Sequence, residues 1–315
     1  MLLSILTVLA TASTSLATPV KKEWPGDHSG CGVKQTPGYV GPYNITSGGL
    51  ERTYTVQVPD KYKKNQLYPL IIDYHGNGDT SDEQHNNSAY YNYTQSYVIV
   101  YPQGYKGHWE GPSYATPGVN DTLFTDDLLA HLKTQYCIDS ALIYASGKSN
   151  GAGFVDTLAC SDVGDQFAAF GMASAALYTD TSLTDCSKKR AILESHGDED
   201  TTIPYHPTGP GKGGNLPDID QWVSWWGERD CGPNATPQYD NFVGYNTTAY
   251  SCNGWEDVVL HYQIFQLGHC WPSSTGTNYD ALHISQNCSE DRVLAYTPVV
   301  LDFFSGWSLW NAPTN

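Results

Sequence analysis

Leu142-Ile-Tyr-Ala-Ser-Gly147-Lys-Ser149-Asn-Gly151-Ala-Gly153-Phe-Val155 decides how the rest of the chain is read. An apolar, strand-like run ends in Gly-x-Ser-x-Gly, and the residues after it are suited to open a helix. A serine at the tip of so sharp a turn must hold strained backbone angles. Gly147 and Gly151 let neighbouring backbone pass close by without Cβ clashes. The turn presents the hydroxyl to a cleft and aims the backbone amide of Asn150, at the helix N-terminus, toward a developing oxyanion. Ser149 is therefore the candidate nucleophile. Taken alone the motif also fits an ordinary glycine-rich turn, so its surroundings decide.

Upstream, Asp121 to Tyr136 reads as a helix, because Phe124, Leu128, Leu129 and Leu132 recur with helical spacing. Tyr97 to Pro102 and Leu67 to Tyr74 are near-continuous apolar runs, as expected of strands buried on both faces. Strand, helix, strand is the repeating unit of a parallel sheet. The second run leads into His75-Gly76-Asn77-Gly78, where glycines free a backbone amide, that of Asn77, to serve as a second oxyanion donor. Arg52 to Pro59 alternates as an edge strand would, and residues 18–50 read as irregular.

Downstream, Phe167 to Ala173, Ala191 to Gly197 and Val258 to Phe265 read as strands, and Ile219 to Arg229 as a helix. Cys231 to Cys252 brackets a polar segment read as a stapled loop. Thr297 and Pro298 form an N-cap and first-turn pair for a terminal helix. A serine hydroxyl becomes a useful nucleophile when an imidazole takes its proton and a carboxylate orients that imidazole. α/β-Hydrolases place these groups in the order serine, acid, histidine, on loops after successive strands. Here Asp200 is the preferred acid, anchored by Ile203 and Pro204, with Asp198 as the alternative. His269 follows a strand and is the candidate base. It must be neutral to work, so activity is expected to fall on the acid side near the reference value of roughly 6.5.

The chain has 315 residues, enough for one large α/β domain, and a net charge of −17. Such a surface repels phosphate backbones and anionic membranes, which argues against nucleic-acid or lipid partners. Met1 to Ala10 is apolar and Ser15-Leu16-Ala17 is a small-x-small cleavage pattern, although no Lys or Arg precedes the run. Residues 1–17 are thus expected to be a secretory signal peptide and 18–315 a single hydrolase domain, secreted to the extracellular space. Eight cysteines, Cys31, Cys137, Cys160, Cys186, Cys231, Cys252, Cys270 and Cys288, show no paired C-x-x-C spacing. That excludes the usual zinc patterns and points to four disulfides of open connectivity. Asn44, Asn86, Asn92, Asn120, Asn234, Asn246 and Asn287 head glycosylation sequons.

Four motifs in order carry a family resemblance: Tyr144-Ala-Ser-Gly-Lys-Ser-Asn-Gly-Ala-Gly-Phe154, Phe124-Thr-Asp-Asp-Leu-Leu129 leading to Tyr136-Cys-Ile-Asp139, His196-Gly-Asp-Glu-Asp-Thr-Thr-Ile-Pro-Tyr205, and Gly268-His-Cys-Trp-Pro272. From about Arg52 to Trp307 the chain resembles secreted fungal feruloyl esterases of carbohydrate esterase family 1, which are related to polyhydroxybutyrate-depolymerase-like esterases. The resemblance implies an α/β-hydrolase fold, a mostly parallel sheet flanked by helices, with Ser149 as nucleophile, Asp200 as acid and His269 as base. It also implies oxyanion donation by the amides of Asn77 and Asn150, and contacts to an aromatic acyl ring from Trp109, Tyr205 and Trp271. Ala152 departs from an expected third glycine. The implied substrate is ferulate, or a related hydroxycinnamate, esterified to plant cell-wall polysaccharide, hydrolysed by a monomer without metal or cofactor. Acetylxylan esterase and polyester depolymerase are the rival activities. A non-catalytic carbohydrate-binding protein on the same scaffold is the rival from another class.

Overall fold

The run ending at Lys148 lies near the middle of a ten-stranded sheet. The computed structural model describes residues 28–178, 186–273, 288 and 294–313, so the expected leader (residues 1–17) and the Asn287 sequon lie outside the described residues. In chain order the elements are β1 (Gly38–Ser47), β2 (Leu50–Val58), β3 (Tyr68–Tyr74), α1 (Ser81–Ser88), β4 (Val98–Pro102), α2 (Asp121–Gln135), β5 (Ile138–Lys148) and α3 (Asn150–Ala159). There follow β6 (Ala169–Ala173), β7 (Ile192–Gly197), α4 (Ile219–Cys231), β8 (Gln238–Phe242), β9 (Tyr245–Cys252), β10 (Trp255–Ile264) and α5 (Tyr296–Ser305).

The strand order is β1-β2-β4-β3-β5-β6-β7-β10-β9-β8. From β4 to β10 every neighbour is parallel, and antiparallel strands flank this centre on both sides. Sequence explains the split. β4, β6 and β7 are buried at every residue, as strands covered on both faces must be, whereas β8 is exposed throughout. Pairing sets Tyr74 beside Gly147, Lys148 beside Ala173, Ala173 beside Ser195, and Gly197 beside Ile264. The C-terminal ends of β3, β5, β6, β7 and β10 therefore form one rim, where an open α/β sheet places its ligand site.

α2 follows its pattern: Asn120 Oδ1 accepts the Leu123 amide at 2.7 Å, and Phe124, Leu128, Leu129 and Leu132 are buried. Four elements differ from the sequence reading. β2 is not an edge: β1, drawn from the stretch read as irregular, covers it. Cys231 to Cys252 is not a loop but holds the hairpin β8–β9, closed by the Cys231–Cys252 bridge. α5 is capped at Ala295. Thr297, expected as its cap, instead accepts the Trp271 indole N–H at 2.9 Å and donates to the Ser88 carbonyl at 2.5 Å. α1 lacks an apolar stripe and was missed. Its signal is a capping box, Thr80 and Glu83, in which Thr80 Oγ1 accepts the Glu83 amide at 3.2 Å and donates to its carboxylate at 3.0 Å.

All eight cysteines pair: Cys31–Cys137, Cys160–Cys186, Cys231–Cys252 and Cys270–Cys288. The last bridge starts at the residue after His269 and so anchors that loop.

Candidate active site

Ser149 holds φ 55° and ψ −119°, a conformation that a non-glycine residue keeps only when its surroundings over-determine it. They do so through hydrogen bonds. The Ser149 amide donates to the Ala173 carbonyl at 3.0 Å, and its own carbonyl accepts from the amides of Gly153 (2.9 Å) and Ala176 (3.0 Å). Space is equally restrictive. A Cβ on Gly151 would lie 2.2 Å from the Tyr74 carbonyl oxygen, and one on Gly147 would lie 2.7 Å from the Gly151 carbonyl carbon. Ala152 needs no such allowance, because its methyl group packs into the core, and Gly153 is the position that backbone crowds, with a Cβ there 2.0 Å from the Ala176 carbonyl oxygen.

Three side chains that are distant in sequence meet at this rim. His269 Nε2 lies 2.7 Å from Ser149 Oγ, and His269 Nδ1 lies 2.7 Å from Asp200 Oδ2. The other Asp200 oxygen accepts the Thr202 and Ile203 amides, each at 2.8 Å. All three side chains are buried. Burial alone would raise the Asp200 carboxyl; the imidazoles of His269 and His196 reverse this and hold it well below the usual carboxylate range. Asp198, the alternative acid, instead accepts the Gln266 amide at 2.6 Å and so braces the loop before His269.

On the opposite wall, Gly76 lies beside Ser149: a Cβ there would sit in ordinary contact with Ser149 Cβ at 3.5 Å and tightly against Asp79 Oδ2 at 3.0 Å. Asn77 lines the cleft beside it, with its Oδ1 2.6 Å from His108 Nδ1. The amide of Asn150 opens α3, where an N–H has no acceptor within the helix. His75 steadies this wall: its Nε2 accepts the Gly104 amide at 2.9 Å, and burial keeps the ring neutral by lowering its pKa to about 4.

The three aromatic residues expected to touch an acyl ring do not line the cleft. Trp109 is fully buried. Its indole N–H donates to the His75 carbonyl at 2.8 Å, and its backbone amide donates to Asn150 Oδ1 at 2.9 Å. Trp271 is buried against Thr297 and Tyr296, and Tyr205 bonds to Asp220 and lies beside His261. Large aromatics close to the Ser149, Asp200 and His269 loops here fill the space behind them. The rings in the cleft are Tyr114 and Tyr178, with Lys148 and Lys212 also at its wall. Sequence reading gave none of them a role: Tyr114, Tyr178 and Lys212 belong to no motif, and Lys148 fills a variable position of Gly-x-Ser-x-Gly. It also gave neither Glu194 nor His196 a part in the site, although two ionisable residues two apart in a buried strand are a usable signal.

Of the sequons, Asn44, Asn86, Asn92, Asn120 and Asn234 are exposed and Asn246 is half-buried.

A central parallel sheet with a strained serine after β5, an acid after β7 and a histidine after β10 defines the class: the chain has the α/β-hydrolase fold. No protein-family model matches the sequence. Its curated relatives include feruloyl esterase D of Neurospora crassa, 29% identical over 174 residues that cover 51% of this chain and 54% of that one. A bifunctional acetylxylan esterase/xylanase of Neocallimastix patriciarum is 28% identical over 209 residues, covering 64% and 30% respectively. The chain spans about half the length of the feruloyl esterases it matches. Among solved structures, an acetyl xylan esterase from Aspergillus awamori superposes with a TM-score of 0.52 at 14% identity, over 69% of this chain and 89% of that one, a likeness of fold.

Proposed function

We propose that the protein is a secreted serine carboxylic-ester hydrolase that releases ferulate or a related hydroxycinnamate from plant cell-wall polysaccharide. The observation that carries this reading is the unbroken contact from Ser149 Oγ through His269 to Asp200, 2.7 Å at each step. Ser149 Oγ attacks the ester carbonyl carbon while its proton passes to His269 Nε2. The amides of Asn77 and Asn150 hold the oxyanion, each contributing roughly 10²- to 10³-fold in turnover. Collapse breaks the bond to the alcohol oxygen, which takes the proton from His269 and leaves an acyl group on Ser149. Water then attacks that acyl group, gives its proton to His269, and the acid departs as Ser149 Oγ recovers the proton. Asp200 fixes the imidazole and supports its charged form.

The acyl preference is supported by the feruloyl esterases among the relatives and by Tyr114 and Tyr178 in the cleft, whose ring centroids lie 6.0 Å apart edge to face. Acetyl ester hydrolysis is the second reading, favoured by the acetylxylan esterase relative. Turnover of methyl ferulate, 4-nitrophenyl acetate and a hydroxybutyrate oligomer separates these activities. No ferulate release between pH 5 and 8 would remove the feruloyl assignment. A fluorophosphonate probe is expected to label the native protein but not Ser149→Ala, and an unlabelled native protein would mean a binder, not an enzyme.

A further inference from the structure

Asp200 meets two imidazoles, not one. Its Oδ2 lies 2.7 Å from His269 Nδ1 and 3.3 Å from His196 Nε2. His196 is fully buried at the end of β7. Its Nε2 also lies 2.8 Å from the Ile203 carbonyl oxygen, and its Nδ1 lies 3.0 Å from Glu194 Oε1. Both ring nitrogens thus face acceptors. A neutral imidazole has one N–H and one lone pair, and would turn that lone pair against a carbonyl or a carboxylate. Either His196 carries two protons or Glu194 carries one.

The remaining contacts of Glu194 decide between them. Oε1 accepts the Ala175 amide at 3.4 Å, and Oε2 lies 2.8 Å from Nδ1 of His261, its register partner on β10. Oε1 thus has a donor in the Ala175 amide, as a carboxylate would, while the close Oε2–His261 contact lacks hydrogen-bond geometry and adds favourable charge only when that ring is protonated. We therefore place the charge on His196, the ring with an acceptor at each nitrogen.

We propose that His196 is a positioning residue, a buried imidazolium held between Glu194 and Asp200 that fixes the catalytic carboxylate and offsets part of the charge it presents to His269. The groups that face it are Glu194 from its own strand, Asp200 from the following loop, His261 from β10, His269 from the loop after β10, and the edge of Tyr205, whose ring centroid lies 5.8 Å away. Burial opposes charge on His196, but Glu194 and Asp200 outweigh it and raise its pKa, while His196 and His261 lower that of Glu194 against the same burial. Without the second imidazolium, Asp200 holds the proton on His269 more strongly.

The inference rests on the ester-hydrolase reading for its kinetic test. His196→Gln is compared with native protein by following kcat/KM for 4-nitrophenyl acetate across pH 4.5 to 8.5. The acid limb is expected to move up by about one pH unit, so that the variant loses roughly tenfold more activity at pH 5 than at pH 8. A uniform loss at every pH, or an unmoved limb, overturns the proposal and leaves His196 a brace. If the variant does not fold, nitrogen-15 spectra of histidine-labelled protein at pH 8.5 decide. A doubly protonated ring is expected in the native protein and in His261→Asn, and its absence from either overturns the proposal. Native protein inactive on every ester would sink the hydrolase reading, and the nitrogen spectra would still settle the charge on His196.

Discussion

Asp73 and Asp200 are both buried aspartates near the rim of the sheet, yet their surroundings drive their protons in opposite directions. Asp73 sits one residue before the end of β3, and the donors it meets among the described residues are neutral: Gln84 Nε2 at 3.0 Å from each oxygen, Ser146 Oγ at 2.7 Å, and the Ser88 hydroxyl. Burial outweighs these bonds and raises its carboxyl to about 6. Asp200 is buried as well, but two imidazoles keep it ionised. Burial by itself therefore does not set the charge of a carboxylate; the charge of its partners does. Only the permanently ionised aspartate can support an imidazolium forming on His269.

The sharpest way to break this contrast is to neutralise each acid in turn. Asp200→Asn is expected to lower kcat by about 10⁴-fold, because the amide no longer fixes the tautomer of His269. Asp73→Asn is expected to change kcat less than about threefold, since the new amide can pair with Gln84 Oε1, which has no partner of its own, after that side chain turns over. Similar losses of kcat in both variants would show that Asp73 also serves the reaction.

A second test separates packing from substrate contact in the aromatic residues around the two acids. Tyr114→Ala removes a ring from the cleft and is expected to raise KM for methyl ferulate by roughly tenfold, with a much smaller change for 4-nitrophenyl acetate. Trp109→Phe leaves the cleft lining alone but removes the bond to the His75 carbonyl. It is expected to cost about 1 kcal/mol of stability and to affect both esters alike. A selective loss of ferulate turnover in Trp109→Phe would return that residue to the substrate site.

The legible part of the molecule follows the same division. The central strands and the Ser149 turn could be read because continuous apolar runs and glycines at crowded backbone leave few alternatives. The order serine, acid, histidine placed the three side chains on successive loops of the rim. What stayed hidden depends on who meets whom in three dimensions. Glu194 and His196 looked like two polar residues in a strand until His261 and Asp200 arrived from elsewhere in the sequence. Tyr205 and Trp271 sat in quoted motifs and Trp109 in the loop after β4, but all three face the core, which no one-dimensional pattern distinguishes from facing a cleft. The hairpin β8–β9 was hidden for a simpler reason: an exposed edge strand needs no apolar run.

The two acids also pull stability in opposite directions with pH. The carboxyl of Asp73 is raised in the folded state, so the fold binds a proton there more tightly than the unfolded chain. Its contribution is favourable below about 4 and is lost as pH rises to about 6. Asp200 and Glu194 are lowered, so their contribution is present above the ordinary carboxylate range and is lost as pH falls through and below it. His196 is raised, and its contribution is present in full below the ordinary imidazole value of roughly 6.5 and is lost as pH rises from there to about 10. Urea unfolding at pH 4.5 and 7 is expected to show Asp73→Asn gaining on the order of 2 kcal/mol relative to native protein at the higher pH. An equal effect at both pH values would mean that Asp73 is ionised throughout.

The smallest expected effect tests how Asp73 is held. Its two longer bonds come from Gln84, and Gln84 is placed by α1, a short polar helix whose first turn is fixed by Thr80. Thr80→Ala removes the cap and is expected to cost about 1 kcal/mol. A looser α1 weakens the Gln84 bonds that favour ionised Asp73, so its proton is held more tightly and the fall in stability, which still begins at about 4, continues to a higher pH. The Asp200 side of the rim shares no contact with Thr80, and the acid limb of kcat/KM should stay where it is in the native protein. If that limb moves with the loss of the cap, the two acids are coupled across the sheet, and the contrast between them is one network with two ends.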